Sequence, residues 1–429
     1  MSEQLNIFEQ AHFDDSIARY DIHTYLPYGS SNYGLSEEIR ILIQSQDLIT
    51  ATHDSFLYIE GEITRPQADV GKSCNLTNNF ASFLFEEIRY ELGGQRVDIC
   101  RNPGVSSTIK GYATYSNSDN KSLAHIGWAP ANNDTPLQVQ FSANNADLSK
   151  KFTVCLPLKH IFGFAEHYRQ VIVNMKQELV LIRSRTDLDC YNGEADGRIT
   201  LRKIQWKVPH LTLSDRSKLK LFERINRNPI ITIPFRQWEL HEYPSLKQVK
   251  MDIWPIKTSA HLEKPRWVIV ALQKNQRRRA KNDRATVFDH ANISDIRLHL
   301  NSERYPYEAM NLDFTTNKYA IAYRNYVNFQ CNYYDRNDWG IGGSIAGGGG
   351  GNVTSAISMP TFDYTEFKEC PIFVIDCASQ NENLKNSTVD VKLELESNNN
   401  FENGMVAYCL IIHDAIVQYN PLTGEVKRL

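Results

Sequence analysis

The sequence predicts an all-β protein made of two consecutive β-sandwiches with a few short helices. The chain has 429 residues, which exceeds the length at which one hydrophobic core usually stops growing, so two domains are expected. Aromatic residues make up 11% of it, with 21 Tyr and 19 Phe, and such side chains pack well on pleated surfaces. Short segments with strand-like alternation recur along both halves, which is typical of sandwiches.

Residues 1–36 precede the first predicted strand and are interpreted as an N-terminal arm. They show little periodicity and end in the turn-rich stretch 25–34. Leu5, Ile7 and Phe8 lie among acidic and polar residues in this arm. The arm is therefore predicted either to order against a neighbouring surface or to remain a frayed terminus.

The first sandwich is predicted over residues 37–210. Its strand signals alternate apolar and polar residues, and the pair Gly93-Gly94 between two such segments indicates a hairpin. The predicted strands of this half are Glu38–Ile43, Ser55–Thr64, Phe80–Leu92, Arg96–Cys100, Phe152–Leu156, Val171–Ile182 and Ile199–Val208.

A linker helix is predicted between the two sandwiches, within residues 211–229. Leu219, Phe222 and Ile225 recur at helical spacing after Ser214, which suits the N-cap position. An Asn-Pro pair then ends the helix, because the residue before proline disfavours helical geometry. The domain boundary is placed here.

The second sandwich is predicted over residues 230–429. A helix is expected at Tyr319–Tyr333, and the glycine-rich stretch 340–358 is expected to be an exposed, mobile loop because glycine loses the most entropy on ordering. The predicted strands of this half are Ile230–Leu240, Trp267–Gln273, Ile293–Asn301, Ile372–Cys377, Val389–Glu396 and Val406–Tyr419.

Composition argues against several classes of protein. A net charge of -3 and a pI near 6.5 give no global attraction to nucleic acids or membranes. The N-terminus lacks the pattern of a signal peptide, and no apolar run is long enough to span a bilayer, so the chain is expected to be intracellular when it is made. The eight cysteines show neither C-x-x-C nor metal-like spacing with histidine, which predicts buried thiols.

One cluster of basic residues interrupts the second half. It could act as a nuclear-import signal or contact an acidic partner, and a solvated loop between two strands is an equally good interpretation. With one cluster and no interleaved aromatic residues, specific base recognition is not expected. The residues of this basic run are Lys274, Arg277, Arg278, Arg279, Lys281 and Arg284.

Paired acidic residues offer little catalytic or metal chemistry. Asp187 and Asp189 could hold a divalent cation, but nearby arginines such as Arg183 would compete for the carboxylates, so a salt-bridged strand end is preferred. Glu86 and Glu87 are neighbours on a predicted strand, where they point to opposite faces and cannot form an acid/base pair. No catalytic, metal or cofactor site is predicted.

Three other features also have a structural explanation. The glycine-rich stretch lacks the residues and the strand-helix context of a phosphate-binding loop. Cys409 and His413 would lie about 13 Å apart on one strand, too far for a nucleophile and its base. The six tryptophans mostly fall in strand patterns and are expected in the core rather than on a sugar-binding surface.

Several long segments resemble the double jelly-roll major capsid proteins of Polinton (Maverick) elements and the related double jelly-roll-like domain proteins of insect genomes. The matching segments run through most of residues 80–426, and none of them is a catalytic signature. They are Phe83–Tyr112, Pro157–Tyr168, Glu178–Cys190, Lys203–Leu211, Leu262–Gln273, Leu298–Phe314 and Ala407–Val426.

The resemblance implies a fold of two consecutive eight-stranded jelly-roll β-sandwiches and a structural role. Three copies would form a pseudo-hexameric homotrimer, and trimers would assemble into the icosahedral capsid of a virion, with a minor penton protein as a further partner. The implied protein is not an enzyme and needs no cofactor. Two alternatives on the same architecture stay open, a carbohydrate-binding β-sandwich and a glycan amidase.

Overall fold

The computed structural model describes eleven stretches of the chain. They are residues 16–29, 33–44, 49–129, 140–141, 147–256, 265–274, 278, 283–301, 303–334, 360–378 and 390–429.

Strands and short helices alternate through the first half of the chain. The strands are β1 (Ile17–Tyr25), β2 (Glu38–Ile43), β3 (Ile49–Thr50), β4 (Phe56–Thr64), β5 (Cys74–Leu76), β6 (Phe85–Leu92), β7 (Gln95–Arg101), β8 (Gln140–Phe141), β9 (Ser149–Pro157), β10 (Ile172–Val173), β11 (Gln177–Arg183), β12 (Tyr191–Gly193) and β13 (Arg198–Leu213). The helices are α1 (Phe80–Phe83), α2 (Pro103–Thr114), α3 (Asn117–Ser122), α4 (Leu158–Ile161), α5 (Gly163–His167) and α6 (Asp215–Ile225).

The second half is also mostly strands. These are β14 (Ile231–Tyr243), β15 (Met251–Ile256), β16 (Pro265–Lys274), β17 (Ile293–Leu300), β18 (Glu303–Tyr305), β19 (Phe373–Asp376), β20 (Val391–Ser397), β21 (Met405–Tyr419) and β22 (Val426–Arg428). Two helices accompany them, α7 (Ala320–Tyr334) and α8 (Tyr364–Glu369).

Eight strands in each half pair in the same order. In the first half, one sheet has the order β1-β13-β4-β9 and the facing sheet the order β2-β11-β6-β7. In the second half, the corresponding sheets are β14-β21-β16-β19 and β15-β20-β17-β18. Taken in chain order, the first, eighth, third and sixth strands therefore form one sheet, and the second, seventh, fourth and fifth form the other. This arrangement confirms two consecutive jelly-roll sandwiches.

Alternation in the sequence explains the half-buried strands. Along β4 every second residue is buried, including Leu57, Ile59 and Ile63, because successive side chains point to opposite faces of the sheet. Strands β6 and β7 form the predicted hairpin. Both residues of its two-residue turn, Gly93 and Gly94, have positive φ, which glycine adopts without steric cost.

Two predicted strands are wrong in part. The segment Phe80–Leu92 begins with the buried helix α1 and only then becomes β6, after Asn79 adopts a left-handed conformation. The segment Val171–Ile182 is divided between β10 and β11, which belong to different sheets, with left-handed Asn174 between them. The sequence of this segment does not reveal the point at which the chain passes from one sheet to the other.

Two predicted helices are confirmed, and the six other α-helices of the described residues were not predicted. The linker helix is α6, although the Ser214 hydroxyl donates to the Ser217 hydroxyl rather than capping a backbone N–H. The second predicted helix is α7, displaced by one residue. Helix α2 was missed because all twelve of its residues are buried, which leaves no apolar stripe to recognise.

Strand β1 lies inside the segment predicted as an N-terminal arm. It pairs antiparallel with β13 from Ile17 opposite Leu213 to Tyr25 opposite Trp206. This part of the predicted arm is therefore the first strand of the first jelly roll. Residues 1–15 and the glycine-rich stretch 340–358 lie outside the described residues.

The apolar core is continuous, and most of the cysteines are buried as predicted. Buried side chains of both jelly rolls form one continuous cluster, and six of the eight cysteines are buried. Burial raises the pKa of the Cys74 and Cys100 thiols to about 12, so both stay protonated and unreactive at neutral pH. Among the described residues, no helix is long and apolar enough to cross a membrane.

Candidate functional site

Helix α2 lies between the two jelly rolls and carries much of their contact. The Tyr112 hydroxyl donates to the Thr286 carbonyl at 3.1 Å, and the Tyr326 hydroxyl donates to the Tyr112 carbonyl at 2.7 Å. Gln330 on α7 donates to the Tyr115 carbonyl at 2.8 Å. We call these contacts, together with the ion pair between Lys110 and Glu166, the interdomain junction. Its buried polar groups are paired across the two sandwiches, which fixes their relative position.

A buried ion pair lies at the centre of the interdomain junction. The Lys110 ammonium is 3.0 Å from the Glu166 carboxylate and also donates to the Lys159 carbonyl at 2.9 Å. The Tyr334 hydroxyl, from the second jelly roll, donates to Glu166 at 2.5 Å. Burial acts to raise the pKa of Glu166, but the charge of Lys110 and these contacts hold it below its ordinary value. Glu166 therefore stays ionised, and it joins the two sandwiches.

Strand β14 covers the side of the first jelly roll on which helix α5 lies. Phe235 of β14 packs edge-on against Phe164 with ring centroids 5.6 Å apart, and the Lys110 ammonium lies 5.4 Å from the Trp238 ring. A β-carbon on Gly163 would lie only 1.8 Å from the Arg236 carbonyl oxygen, so only glycine permits this approach. The contact is as close as the packing inside a domain.

The described part of the basic run is largely neutralised within the chain. Arg278 lies 3.2 Å from Asp189 of the first jelly roll, and the Arg278 side chain is only 15% exposed. Lys274 pairs with Glu402 at 3.1 Å, and Arg284 is half-buried. Arg277, Arg279 and Lys281 lie outside the described residues. Arg278 therefore links the two jelly rolls, and an import or acidic-partner role would depend on the other cations of the run.

The acidic residues considered for chemistry also form ion pairs. Asp187 accepts from Arg183 at 2.9 Å, which confirms the salt-bridged strand end. Burial raises the pKa of Asp187, and the Arg183 charge opposes that rise. Glu86 pairs with Arg185 at 3.2 Å. The described residues contain no group of three His, Cys, Asp or Glu side chains arranged to hold a metal ion.

The remaining candidates have structural roles where they lie within the described residues. Cys409 and His413 are buried on β21, and burial lowers the pKa of His413. All five described tryptophans are buried, and Trp339 lies outside the described residues. The described tryptophans therefore offer no exposed platform for a sugar ring.

One surface of the first jelly roll is open and apolar. Tyr20, Ile22 and Leu26 lie on one face of β1 and its continuation, because alternate residues of a strand point the same way, and each is about half exposed or more. We call these three residues the first-strand surface. Sequence reasoning missed it because β1 was assigned to the arm.

The linker helix extends this open region. The backbone N–H of Ser214, just before α6, donates to the Ser16 carbonyl beside the start of β1. Of the three apolar residues predicted to lie on one face of α6, Leu219 is 66% exposed, Phe222 is 37% exposed and Ile225 is buried. The helical spacing predicted the helix, but two of these three side chains face outward rather than into the core.

A family model and several solved structures resemble this chain. The model described as double jelly roll-like domain matches residues 74–345 and 349–417. No curated protein sequence matches. Identities to the solved structures are so low that the likeness shows the fold alone.

Three of these structures match nearly the whole chain. The capsid of the virus PBCV-1 is 11% identical, with 98% of each chain covered and a TM-score of 0.57. The Faustovirus major capsid protein is 9% identical, with 96% of this chain and 93% of that chain covered and a TM-score of 0.59. The mavirus major capsid protein is 11% identical, with 99% and 92% covered and a TM-score of 0.54.

Proposed function

The chain belongs to the family of double jelly roll-like domain proteins, and on this premise we propose that it is a structural major capsid protein. Three copies form a pseudo-hexameric homotrimer, and trimers assemble into the icosahedral shell of a DNA virus or of a virus-like transposable element of the Polinton type. The observation that carries the proposal is the pair of jelly rolls with identical strand order, held side by side in one chain by the interdomain junction.

The geometry suits a ring of six similar units. Each chain supplies two sandwiches of the same order, so three chains supply six, and a head-to-tail contact repeated around a rotation axis closes a ring. A ring of this kind needs the two sandwiches of each chain to keep a fixed angle. The buried contacts of the interdomain junction, including Lys110 with Glu166 and Tyr326 with Tyr112, supply that rigidity.

We propose a role that involves no catalysis. The ionisable side chains considered for chemistry are engaged in structural ion pairs or buried on strands, as with Asp187, Glu86 and His413. A shell subunit works through surface burial instead, with large contacts inside the capsomer and smaller contacts between capsomers. No observation on the described residues favours a carbohydrate-binding module or a glycan amidase over this role.

The partners are other copies of this chain and a minor penton protein at the vertices of the shell. The protein resides in the virion capsid after synthesis inside the cell. We propose that the cations of the basic run outside the interdomain ion pair serve import or contact an acidic partner. Replacing Arg277, Arg279 and Lys281 by Ser while keeping Arg278 tests this without disturbing the Asp189 contact. Unchanged localisation and assembly of this variant would rule the proposal out.

The experiment that tests the main proposal is size-exclusion chromatography with light scattering, followed by negative-stain electron microscopy, on the purified full chain across salt and pH. The expected result is a particle of three times the 49.3 kDa chain mass, or closed shells of uniform size. A monomer that persists at high protein concentration would overturn the assembly role. A glycan-binding screen would then be the next measurement.

A further inference from the structure

Besides the contacts of helices α2 and α5, the two jelly rolls of one chain touch through a pair of strands. Strand β7, the fifth of the eight common strands of the first jelly roll, lies against β14, the first of the second jelly roll. Strand β22 extends the contact, since Gly93 at the end of the β6–β7 hairpin lies against Val426 and the Gly424 carbonyl. The contact is head to tail, because it joins the fifth strand of one sandwich to the first strand of the next.

Strand β1 is the first strand of the first jelly roll, and within the described residues nothing lies on it as β7 lies on β14. Its exposed residues include Ile22, which is 54% exposed, whereas Phe235 of the covered strand β14 is 4% exposed. The two strands hold the same place in sheets of the same order. The covered surface of β14 and the open surface of β1 therefore differ in whether a preceding jelly roll is present.

We propose that the first-strand surface, Tyr20, Ile22 and Leu26, binds the second jelly roll of a second copy of this chain at strand β18 and the residues that follow it. This inference rests on the proposed function and assigns the surfaces that close its trimer. Strand β18 is the fifth strand of the second jelly roll and so corresponds to β7. The contact between copies then repeats the contact within each copy, and three repeats close the ring.

The surface at β18 is exposed and carries an aromatic anchor. Tyr307, two residues after the strand, is 78% exposed, and Glu303 and Glu308 beside it are also exposed. A large exposed aromatic residue is the kind of side chain that forms the centre of a protein–protein contact. Within the described residues of the second jelly roll, Tyr307 is the most exposed large hydrophobic side chain.

The charges of the two surfaces are complementary. Helix α6, which begins beside the start of β1, carries Arg216, Lys218, Lys220 and Arg224 against only two acidic residues. The β18 surface carries Glu303 and Glu308 together with Arg304, whose guanidinium lies 5.4 Å from the centre of the Tyr307 ring, so acidic residues exceed basic ones there by one. Opposite charges around apolar anchors favour one partner and one orientation, and they discourage contacts between two identical surfaces.

Disulfide trapping tests the contact directly in the full chain. The double variant Ile22→Cys with Tyr307→Cys is expected to give covalent dimers and trimers on mild oxidation, separated by non-reducing electrophoresis. Each single variant is expected to give none of these. The matched control is Val70→Cys with Tyr307→Cys, since Val70 is also an exposed apolar residue of the first jelly roll, at 38%. It follows the end of β4, where Thr64 pairs with Arg198, and β1 pairs with β13 only from Trp206 onward. Wild type under the same oxidation accounts for the native cysteines.

Complementation gives a second, independent measurement. Ile22→Glu and Tyr307→Glu each remove one of the two surfaces, so each variant alone is expected to lose the trimer at concentrations tenfold above those at which wild type forms it. A mixture of the two variants retains one intact pair of surfaces and is expected to form a one-to-one dimer that grows no further.

The outcomes separate this inference from the proposed function. Covalent trimers from the Ile22 and Tyr307 pair, with none from the Val70 control, support the inference. A wild-type trimer that survives Ile22→Glu, or that gives equal trapping with the Val70 control, overturns the surface assignment and leaves the capsid role standing. A wild-type monomer overturns both.

Discussion

Strands β1 and β14 hold the same position in two sheets of the same order, yet one is open and the other is covered. Strand β14 lies under Phe164 and the rest of helix α5, whereas β1 has exposed residues along nearly its whole length. Topology therefore does not decide burial in this molecule. Burial is decided by whether another sandwich precedes the strand, and the chain supplies such a neighbour once only.

Truncating one apolar side chain on each strand tests most directly whether β14 is covered and β1 is open. Phe235→Ala on β14 is expected to lower the free energy of unfolding by about 4 kcal/mol, because it leaves a cavity against Phe164. Ile22→Ala on β1 is expected to change it by about 0.5 kcal/mol or less in the monomer, since the side chain is already half exposed. Urea unfolding at a concentration below assembly measures both values. Equal losses would show that β1 is covered in the isolated chain.

The buried ion pair provides the next largest effect on the covered side. Glu166→Gln leaves the Lys110 ammonium buried without its counter-charge, and the expected loss of unfolding free energy is about 3 kcal/mol. The double variant Lys110→Met with Glu166→Gln removes both charges and is expected to recover most of that loss. Urea unfolding compares the three proteins. A double variant as unstable as the single one would show that the hydrogen bonds, rather than the charge balance, stabilise this site.

The buried carboxyl of Asp98, beside the contact between α5 and β14, makes the stability of the folded chain depend on pH. Asp98 on β7 accepts from the backbone N–H groups of Phe164 and Ile99, at 3.0 and 2.8 Å. Burial raises the pKa of Asp98 to about 6, against an ordinary value of 3.8, and the two N–H groups only partly oppose the rise. The folded chain therefore binds this proton more tightly than the unfolded chain does.

Because the folded chain binds the Asp98 proton more tightly, the chain is more stable at low pH than at neutral pH. The contribution of Asp98 to stability is fully present below about pH 4 and is lost as the pH rises through about 6, by roughly 2 to 3 kcal/mol. Asp98→Asn is expected to remove this slope, which thermal unfolding of wild type and variant between pH 4 and pH 7 would reveal. Parallel curves for the two proteins would contradict the assignment.

The smallest expected effect concerns one buried hydroxyl of the interdomain junction. Tyr112→Phe removes the hydroxyl that donates to the Thr286 carbonyl and accepts from the Asn78 amide, but it keeps the ring, so a loss of roughly 1 to 2 kcal/mol is expected. Tyr28→Phe, at an exposed hydroxyl, is the control and is expected to show no loss. Chemical denaturation measures both, and a loss shared by the control would show that the effect does not arise at the junction.

Much of the fold was accessible from local pattern. Alternation located β4, and long apolar runs located β16 and β21. Helices α6 and α7 were predicted as well. The resemblance of long segments then indicated two jelly rolls. The β6–β7 turn could be predicted because Gly93 and Gly94 both adopt positive φ, which two-residue hairpin turns require and glycine tolerates.

The candidate site was much less accessible. Asp189 and Arg278 were both singled out, one for metal binding and one for contact with a partner, yet they pair with each other across 89 residues of sequence. Lys110 carries a charge within a helix that is buried on every side, and its counter-charge Glu166 lies 56 positions further on. A local sequence pattern cannot predict that two residues so far apart in the chain form an ion pair.

Periodicity over about ten neighbouring residues was enough to predict the strand-rich class and helix α6, because both depend on local pattern. The tertiary structure alone decided which surfaces are covered. The same alternation that predicts a strand is compatible with a buried β14 and an open β1, since burial depends on packing between elements far apart in the chain. For a protein proposed to act through its surfaces, that undetermined part is the part that carries function.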